Sequence, residues 1–262
     1  MLFRSLVLIV GSDLAHCRHA ALPLFTLGCT LASYEIGWTP AVLRVTMVAM
    51  ATSHWPLFDL RLATERLVLR PVTDDDMDDV VAAIDAGVHD PTTSPFMFQW
   101  TDAEPVVRAR NALQFLWSHR ANWKVDDWSL GLGVFFEGRF VGIQDVEAKQ
   151  FLTLREVSTG SWLTQSAQGQ GIGKEMRAAV LCLAFDYLGA EVANTAAFVT
   201  NPASQGVTRF VGYEENGRHR VLNRGEPVES IRFRLTREAW AARGLPAARV
   251  ENLAPCLDMF GL

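Results

Sequence analysis

Cysteine is too scarce and too widely spaced here for a disulfide framework: Cys17, Cys29, Cys182 and Cys256 form no C-x-x-C pair. The six histidines make neither an H-E-x-x-H motif nor a ligand cluster, so no metal site is expected. Thiols left reduced suit the cytoplasm, and Cys182 is expected to be a small buried apolar residue. Positive charge is also in short supply. With 24 Lys and Arg against 29 Asp and Glu, the formal charge is −5 and the pI about 5.7. That argues against nucleic acid as a partner, because its binders need a basic field to displace counterions. Long hydrophobic runs are missing as well. The uncharged stretch from Ala20 to Tyr34 is shorter than the ~20 residues of a membrane-spanning helix and carries Pro23 and Gly28.

What is present is the balance of an ordinary globular protein, 49% hydrophobic and 20% charged over 262 residues, enough for one large domain or two small ones. The first fifty residues differ in character. The early run "LVLIV" is followed by Asp13, His16 and Arg18 without a clear small-residue cleavage site, which makes a poor signal peptide. The simpler reading is a start codon placed too far upstream, since Met47 and Met50 precede "MATSHWPLFDLRLATERLVLRPV", which opens like a folded domain. A membrane-tethered form is the competing reading. The expected organisation is an extension over 1–49 outside the native fold, one domain over 50–245 and a tail over 246–262.

Alternation predicts a strand over Leu60–Val72, then a helix with Thr73 as N-cap and a stripe of Met77, Val80, Val81 and Ile84. Asp90–Asp102 reads as a loop. A second helix is predicted over about 103–124, with Val107, Ala112, Leu113, Leu116 and Trp117 facing inward. The Glu137-Gly138 turn predicts a hairpin, and Val157–Thr164 a further strand in which Gly160 marks a bulge. Ile172, Met176, Val180, Leu183 and Tyr187 make a core-facing helical stripe. A strand over Val192–Thr200, a helix opened by Asn201 and Pro202, and a closing pair of strands complete a mixed α/β domain.

The densest motif is "QGQGIGKEM", Gln168 to Met176, where alternating glycines run into a helix start. Glycines let a backbone approach a ligand closely, and a helix N-terminus offers unpaired N–H groups to an anion, so the expected guest is a phosphate. A dinucleotide fingerprint fails, because its third glycine falls on Lys174 or Met176. A P-loop fails too, with Gln168 and Glu175 where glycine and Ser or Thr are needed.

Gln168, Gly171 and Gly173 fit the pattern Q/R-x-x-G-x-G/A, which resembles the acyl-CoA signature of the GNAT superfamily of N-acyltransferases. The likeness extends over about Leu60–Leu235, through the strand before the loop, the helix after it, Asn201, Ser204 and Gly212-Tyr213. It is closest to the branch of ribosomal-protein alanine N-acetyltransferases. "HWPLFDLRL", "GVHDP", "DDWSL" and "GSWL" further resemble actinobacterial members of that branch, some of which look like users of succinyl-CoA.

The resemblance implies an α/β fold with a central, mostly antiparallel, splayed sheet flanked by helices. It implies acyl-CoA as donor, acetyl or succinyl, with no metal, and a primary amine of a protein N-terminus or small molecule as acceptor. A homo-oligomer is left open. Carried over residue by residue, it assigns Gln168, Gly169, Gln170, Gly171, Ile172, Gly173 and Lys174 to the pyrophosphate. Trp162, Leu163 and Thr164 take main-chain contacts with the pantetheine arm, Asn201 a hydrogen bond to it, and Ser204 the role of general acid. Ser204 bonding only its own helical turn, and Trp162 as a plain core aromatic, are the alternatives. Tyr213 is expected in the core.

No general base carries over. Some members place a glutamate nineteen residues after the serine, but that position here is Asn223. As base candidates, Glu226 and Glu229 lie near that position and Asp145 and Glu147 sit on a strand able to face the acceptor, but each is expected as a solvated surface charge, with a water wire as the alternative. That gap keeps a second class alive, a non-catalytic acyl-CoA-binding or scaffold protein.

Overall fold

The computed structural model describes residues 54–262, so the readings of 1–49 and of Met47, Met50, Cys17 and Cys29 lie outside the described residues. One nine-stranded sheet organises the chain, in the order β7-β8-β6-β5-β4-β3-β2-β1-β9. Its strands are β1 (Arg61–Ala63), β2 (Leu67–Pro71), β3 (Asp127–Phe136), β4 (Arg139–Lys149), β5 (Glu156–Leu163), β6 (Val192–Phe198), β7 (Glu214–Asn223), β8 (Glu226–Thr236) and β9 (Arg249–Glu251). All neighbours are antiparallel except β5 and β6.

The single strand expected over Leu60–Val72 is in fact the hairpin β1–β2. Leu60 and Leu62 on one side and Leu67 and Leu69 on the other are all buried. Leu62 and Leu67 are an odd number of residues apart, so one continuous strand would turn one pair outward. The chain reverses at Thr64–Arg66 instead, with the Leu67 amide donating to Thr64 Oγ1 at 2.9 Å.

The Glu137-Gly138 turn behaves as its residues require, both with positive φ, of 51° and 75°. Gly160 makes no bulge: β5 runs in unbroken register with β4, and the irregularity sits between Val134 and Phe135. The segment 246–262 packs into the same unit, with β9 on β1 and Cys256 and Phe260 fully buried.

Two layers of helix cover the sheet. On one face lie α1 (Met77–Asp85) and α2 (Pro105–Ala121), packed on Phe140 and Ile143 of β4. Asp76 anchors the start of α1, receiving the Thr73 amide at 2.8 Å and the Arg70 guanidinium at 2.5 and 2.7 Å. Of the inward set predicted for α2, Leu116 is buried and Ala112 and Leu113 pack on the core, whereas Val107 and Trp117 are exposed. Trp117 lies about 100° around the helix from Leu116, and its Nε1 donates to Asp74 at 3.2 Å.

A short helix, α3 (Phe151–Leu154), joins β4 to β5. The opposite face carries α4 (Ile172–Cys182), which continues through one π-helical turn at Leu183–Tyr187, and α5 (Pro202–Phe210). Ile172, Met176, Val180 and Leu183 face the core as their spacing predicts, while Tyr187, at the loosened end, is exposed. A last helix, α6 (Arg237–Arg243), follows β8. Cys182 and Cys256 are buried free thiols.

Candidate active site

The two parallel strands pair for only three residues, Glu156–Ser158 with Val192–Asn194. Beyond that, β5 stays with β4 as far as Leu163, and β6 stays with β8 as far as Phe198. A fork opens between them. At its base Thr195 Oγ1 donates to the Thr159 carbonyl at 2.9 Å. Both strands point their C-terminal ends toward the open side, so the loop after β5 and the start of α5 after β6 meet there.

That loop is built to leave its amides free. Gly169 and Gly171 have φ of 73° and 82°, a left-handed conformation that side chains resist. The backbone amides from Gly169 to Gly173 have no hydrogen-bond acceptor among the described residues, and they lead into the N-terminus of α4. Unpaired N–H groups and a positive helix end suit a pyrophosphate. Gly173 serves packing as well: a Cβ there would stand 3.2 Å from Val207, so α4 and α5 approach closely because it has none.

The side chains of the loop brace it. Gln168 Nε2 donates to the carbonyls of Val88 at 2.8 Å and Leu163 at 3.0 Å. Gln170 Nε2 donates to Ser166, and the Gln170 carbonyl accepts from Arg66. Lys174 is exposed, its ammonium 4.6 Å from the centre of the Phe210 ring. Glu175 lies in the first turn of α4, where Thr64 and Arg66 hold it. Burial would raise its pKa, but those hydrogen bonds outweigh it and keep the carboxyl below its ordinary range.

Strand alternation sorts the expected pantetheine contacts. The Thr164 amide donates to Val141 of β4 at 2.9 Å, so Thr164 and, two residues back, Trp162 turn their main chains toward β4. Leu163 and Ser161 turn theirs to the fork. Of the expected set, Leu163 presents its backbone to the fork together with Ser161, while the backbones of Trp162 and Thr164 pair with β4. The Trp162 side chain lies on the α1/α2 face, 5.9 Å from Trp100 and 6.0 Å from Phe140 between ring centres.

On the other side of the fork, Asn201 Oδ1 caps α5 by accepting the Ser204 amide at 3.1 Å. That leaves its Nδ2 as the group able to reach a cofactor arm. Ser204 is half-buried, and its hydroxyl makes no hydrogen bond among the described residues, the alternative bond within its own turn included. Tyr213 is buried as expected. Its phenol lies 3.2 Å from Thr159 Oγ1, and burial raises its pKa, which leaves it a structural part of the fork's base.

Asn223, standing where a glutamate would be sought, is 4% exposed and donates to the carbonyls of Ser94 and Phe96 at 3.3 and 3.1 Å. Beside it Arg224 grips Asp102 at 2.6 and 2.8 Å. The tip of the β7–β8 hairpin is thereby clamped to the loop Asp90–Asp102. An open cleft of about 470 Å³ lies alongside, lined by His89, Thr101, Asp102, Arg108 and Arg224 among others. Glu226 and Glu229 are exposed, as expected.

One group escaped the sequence reading and another departs from its expected surroundings. Arg177 of α4 is 3% exposed, its Nε on Gln144 Oε1 at 3.2 Å, its Nη2 on Ser161 Oγ at 3.0 Å and its Nη1 without a partner. Burial lowers its pKa, and no carboxylate pairs with it. Inside an apolar helix stripe nothing but its own type marked it. The other is Asp145, expected in solvent, whose Oδ1 is sealed off and unpartnered. Burial pushes its pKa up to about 7, with Glu147 adding to the rise.

A forked pair of parallel strands with an amide-lined glycine loop at its mouth makes a frame suited to an extended ligand that ends in an anion. Residues 66–214 match the family described as acetyltransferase (GNAT) domain, and the chain belongs to that family of acyltransferases. Among solved structures it is similar to a candidate ribosomal-protein-serine acetyltransferase from Vibrio cholerae. They share 25% identity over 68% of this chain and 98% of that one, with a TM-score of 0.54. RimJ from Mycobacterium smegmatis, solved with a CoA-disulfide, is 22% identical over 70% of this chain and 90% of its own, with a TM-score of 0.59. RimL, the ribosomal L7/L12 alpha-N-protein acetyltransferase solved with coenzyme A, is 14% identical over 66% and 96%, with a TM-score of 0.54. The last two likenesses are likenesses of fold.

Proposed function

We propose that this acyltransferase moves an acyl group, acetyl in the first instance and succinyl as the alternative donor, from coenzyme A to a primary amine. Transfer is direct, within a ternary complex. The observation that carries the reading is the fork between β5 and β6, with the unpartnered amides of Gly169–Gly173 and the free hydroxyl of Ser204 at its mouth. The amides would hold the pyrophosphate, fork-facing Ser161 and Leu163 and the Asn201 amide would hold the arm, and Ser204 would return a proton to the departing thiolate. Proximity of the two reactants supplies much of the rate.

The acceptor we favour is a protein N-terminus, in line with the ribosomal-protein descriptions of the similar structures, with small-molecule amines as the other class. We place the enzyme in the cytoplasm, where Cys182 and Cys256 stay reduced, and assign the activity to the domain over 50–245 together with the segment 246–262 that packs into its core, without the extension 1–49. Thiol release from acetyl-CoA and succinyl-CoA across a panel of N-terminal peptides and small amines tests the reading, with Ser204→Ala alongside.

Asn223 favours a second reading, a non-catalytic acyl-CoA binder, because its side chain serves as a loop clamp where a base would be sought. Coenzyme A binding without thiol release for any amine would decide for it.

A further inference from the structure

Asp145 sits on β4 between two glycines. Its partner on β3 is Gly131 and its partner on β5 is Gly160, so on the α1/α2 face it has no side-chain neighbour on either adjacent strand. Each missing side chain is put to a different use. At Gly131 a Cβ would stand 2.9 Å from His119 Nδ1 and 3.1 Å from Asp145 Oδ1, so the two atoms converge over bare backbone and lie at most about 6 Å apart. They make no direct hydrogen bond or ion pair, and both atoms are sealed from solvent without a partner. A distance within that bound leaves them close enough to exchange a proton directly or through one water. At Gly160 a Cβ would meet nothing within 4 Å, so the space beside the carboxylate is open, level with the point where β5 parts from β6.

The remaining atoms point outward. Neither Asp145 Oδ2 nor His119 Nε2 is among the sealed, unpartnered atoms, and neither makes a hydrogen bond, so each keeps access to solvent. Oδ1 thus converges with a histidine nitrogen over Gly131, while Oδ2 and the far histidine nitrogen are not sealed off.

We propose, resting on the acyltransferase reading, that Asp145 is the general base for the acceptor amine, reached through the gap at Gly160, with His119 positioning it and carrying the proton out. The acceptor ammonium gives one proton to Asp145 Oδ2. The freed nitrogen lone pair forms the C–N bond to the acyl carbon, and the C–S bond breaks with its electron pair leaving on sulfur. The second amine proton matches the one the thiolate takes up, so the net products are amide, thiol and one proton. Rotation about the Asp145 Cβ–Cγ bond carries the carboxyl O–H round to the Oδ1 side, where its proton passes through water to His119 Nδ1, and the Nε2–H is released to solvent in its place.

The charged groups around Asp145 fit the task. Burial and Glu147 on its own strand hold its proton affinity near neutrality, and Arg177, across the sheet on α4, limits the rise. His119 on α2 is lowered by burial and so is neutral at pH 7, able to accept a proton. No charged side chain of α1 adds to the shift of Asp145.

Three variants test this, each followed by thiol release and by coenzyme A binding. Asp145→Asn should lower turnover about 100-fold or more, within the usual range for a positioned base, with coenzyme A affinity held within about threefold. Wild-type kcat/KM should rise with pH to a plateau just above 7, and that limb should vanish in Asp145→Asn and shift in His119→Gln. Gly160→Val should close the gap, raising acceptor KM with little change in coenzyme A affinity. Carbon-13 titration of the aspartate carboxyls should show one signal near neutrality that Asp145→Asn removes. Turnover of Asp145→Asn within threefold of wild type, or aspartates that all titrate in the ordinary range, overturns the proposal and leaves the acyltransferase reading intact. A wild type that binds no coenzyme A, or binds it without thiol release, overturns that reading and the proposal with it.

Discussion

The guanidinium of Arg66 forks onto the carboxylate of Glu175, with Nη2 at 2.6 Å and Nε at 2.8 Å from Oε2, while its Nη1 holds the Gln170 carbonyl at 3.2 Å. A turn at the start of the sheet thus sets the glycine loop more than a hundred residues later. Glu175→Ala should lower stability by about 1 kcal/mol, the scale of a partly exposed ion pair. The Glu175 carboxyl is held below its ordinary range in the folded protein, so its contribution is present above its unfolded pKa of about 4.3 and fades as pH falls through the lower folded value. Denaturant unfolding at pH 7 and at acid pH should show the variant's deficit shrinking in acid.

Gly171 caps α4 with φ of 82°. Gly171→Ala should cost roughly 1–2 kcal/mol of local strain and weaken coenzyme A binding about tenfold by calorimetry, with the circular dichroism spectrum unchanged. Gly160→Ala, in open space, makes a useful control for binding.

Ser204→Ala should reduce turnover about 100-fold if its free hydroxyl protonates the thiolate, with coenzyme A affinity within about twofold. Its amide bond to Asn201 survives the change, so the helix cap should too. A kcat loss without a rise in donor KM is the expected signature in steady-state kinetics.

Asn223 clamps the hairpin tip to Ser94 and Phe96. Asn223→Ala leaves two carbonyls unpaired and should cost about 1–3 kcal/mol, loosening the loop Asp90–Asp102. Hydrogen exchange in that loop should quicken, and acceptor KM should rise more than donor KM. Asn223→Glu should destabilise the fold, because the side chain there meets the carbonyl oxygens of Ser94 and Phe96.

Asp145 also shapes the pH dependence of stability. Its folded pKa, raised to about 7, lies above the unfolded value of about 3.9. Its contribution is therefore fully present below about pH 4 and is lost as pH rises toward 7. Unfolding free energies of Asp145→Asn should lack that decline, so the variant gains on wild type between about pH 4 and pH 7.

Much of this protein is fixed by local chemistry that can be read along the chain. Gly169 and Gly171, both with positive φ, and the acceptor-free amides that run into the start of α4 are backbone properties of the local sequence. The Asn201 cap, the Glu137-Gly138 turn and the stripe from Ile172 to Leu183 are equally local. Other features depend on which strands become neighbours. The parting of β5 and β6 after Ser158 is a property of the assembled sheet, in which β5 stays on β4 and β6 on β8, and strand alternation turns Ser161 rather than Trp162 to the fork. The buried state of Arg177 and the clamp at Asn223 arise from contacts between distant elements. Asp145 shows the division most sharply: as a lone acid on an alternating strand it reads as a surface charge. Only the placement of Gly131 and Gly160 on either side, and of His119 above, takes one oxygen out of water and raises its proton affinity, since desolvation is a property of the assembled surroundings and not of the residue.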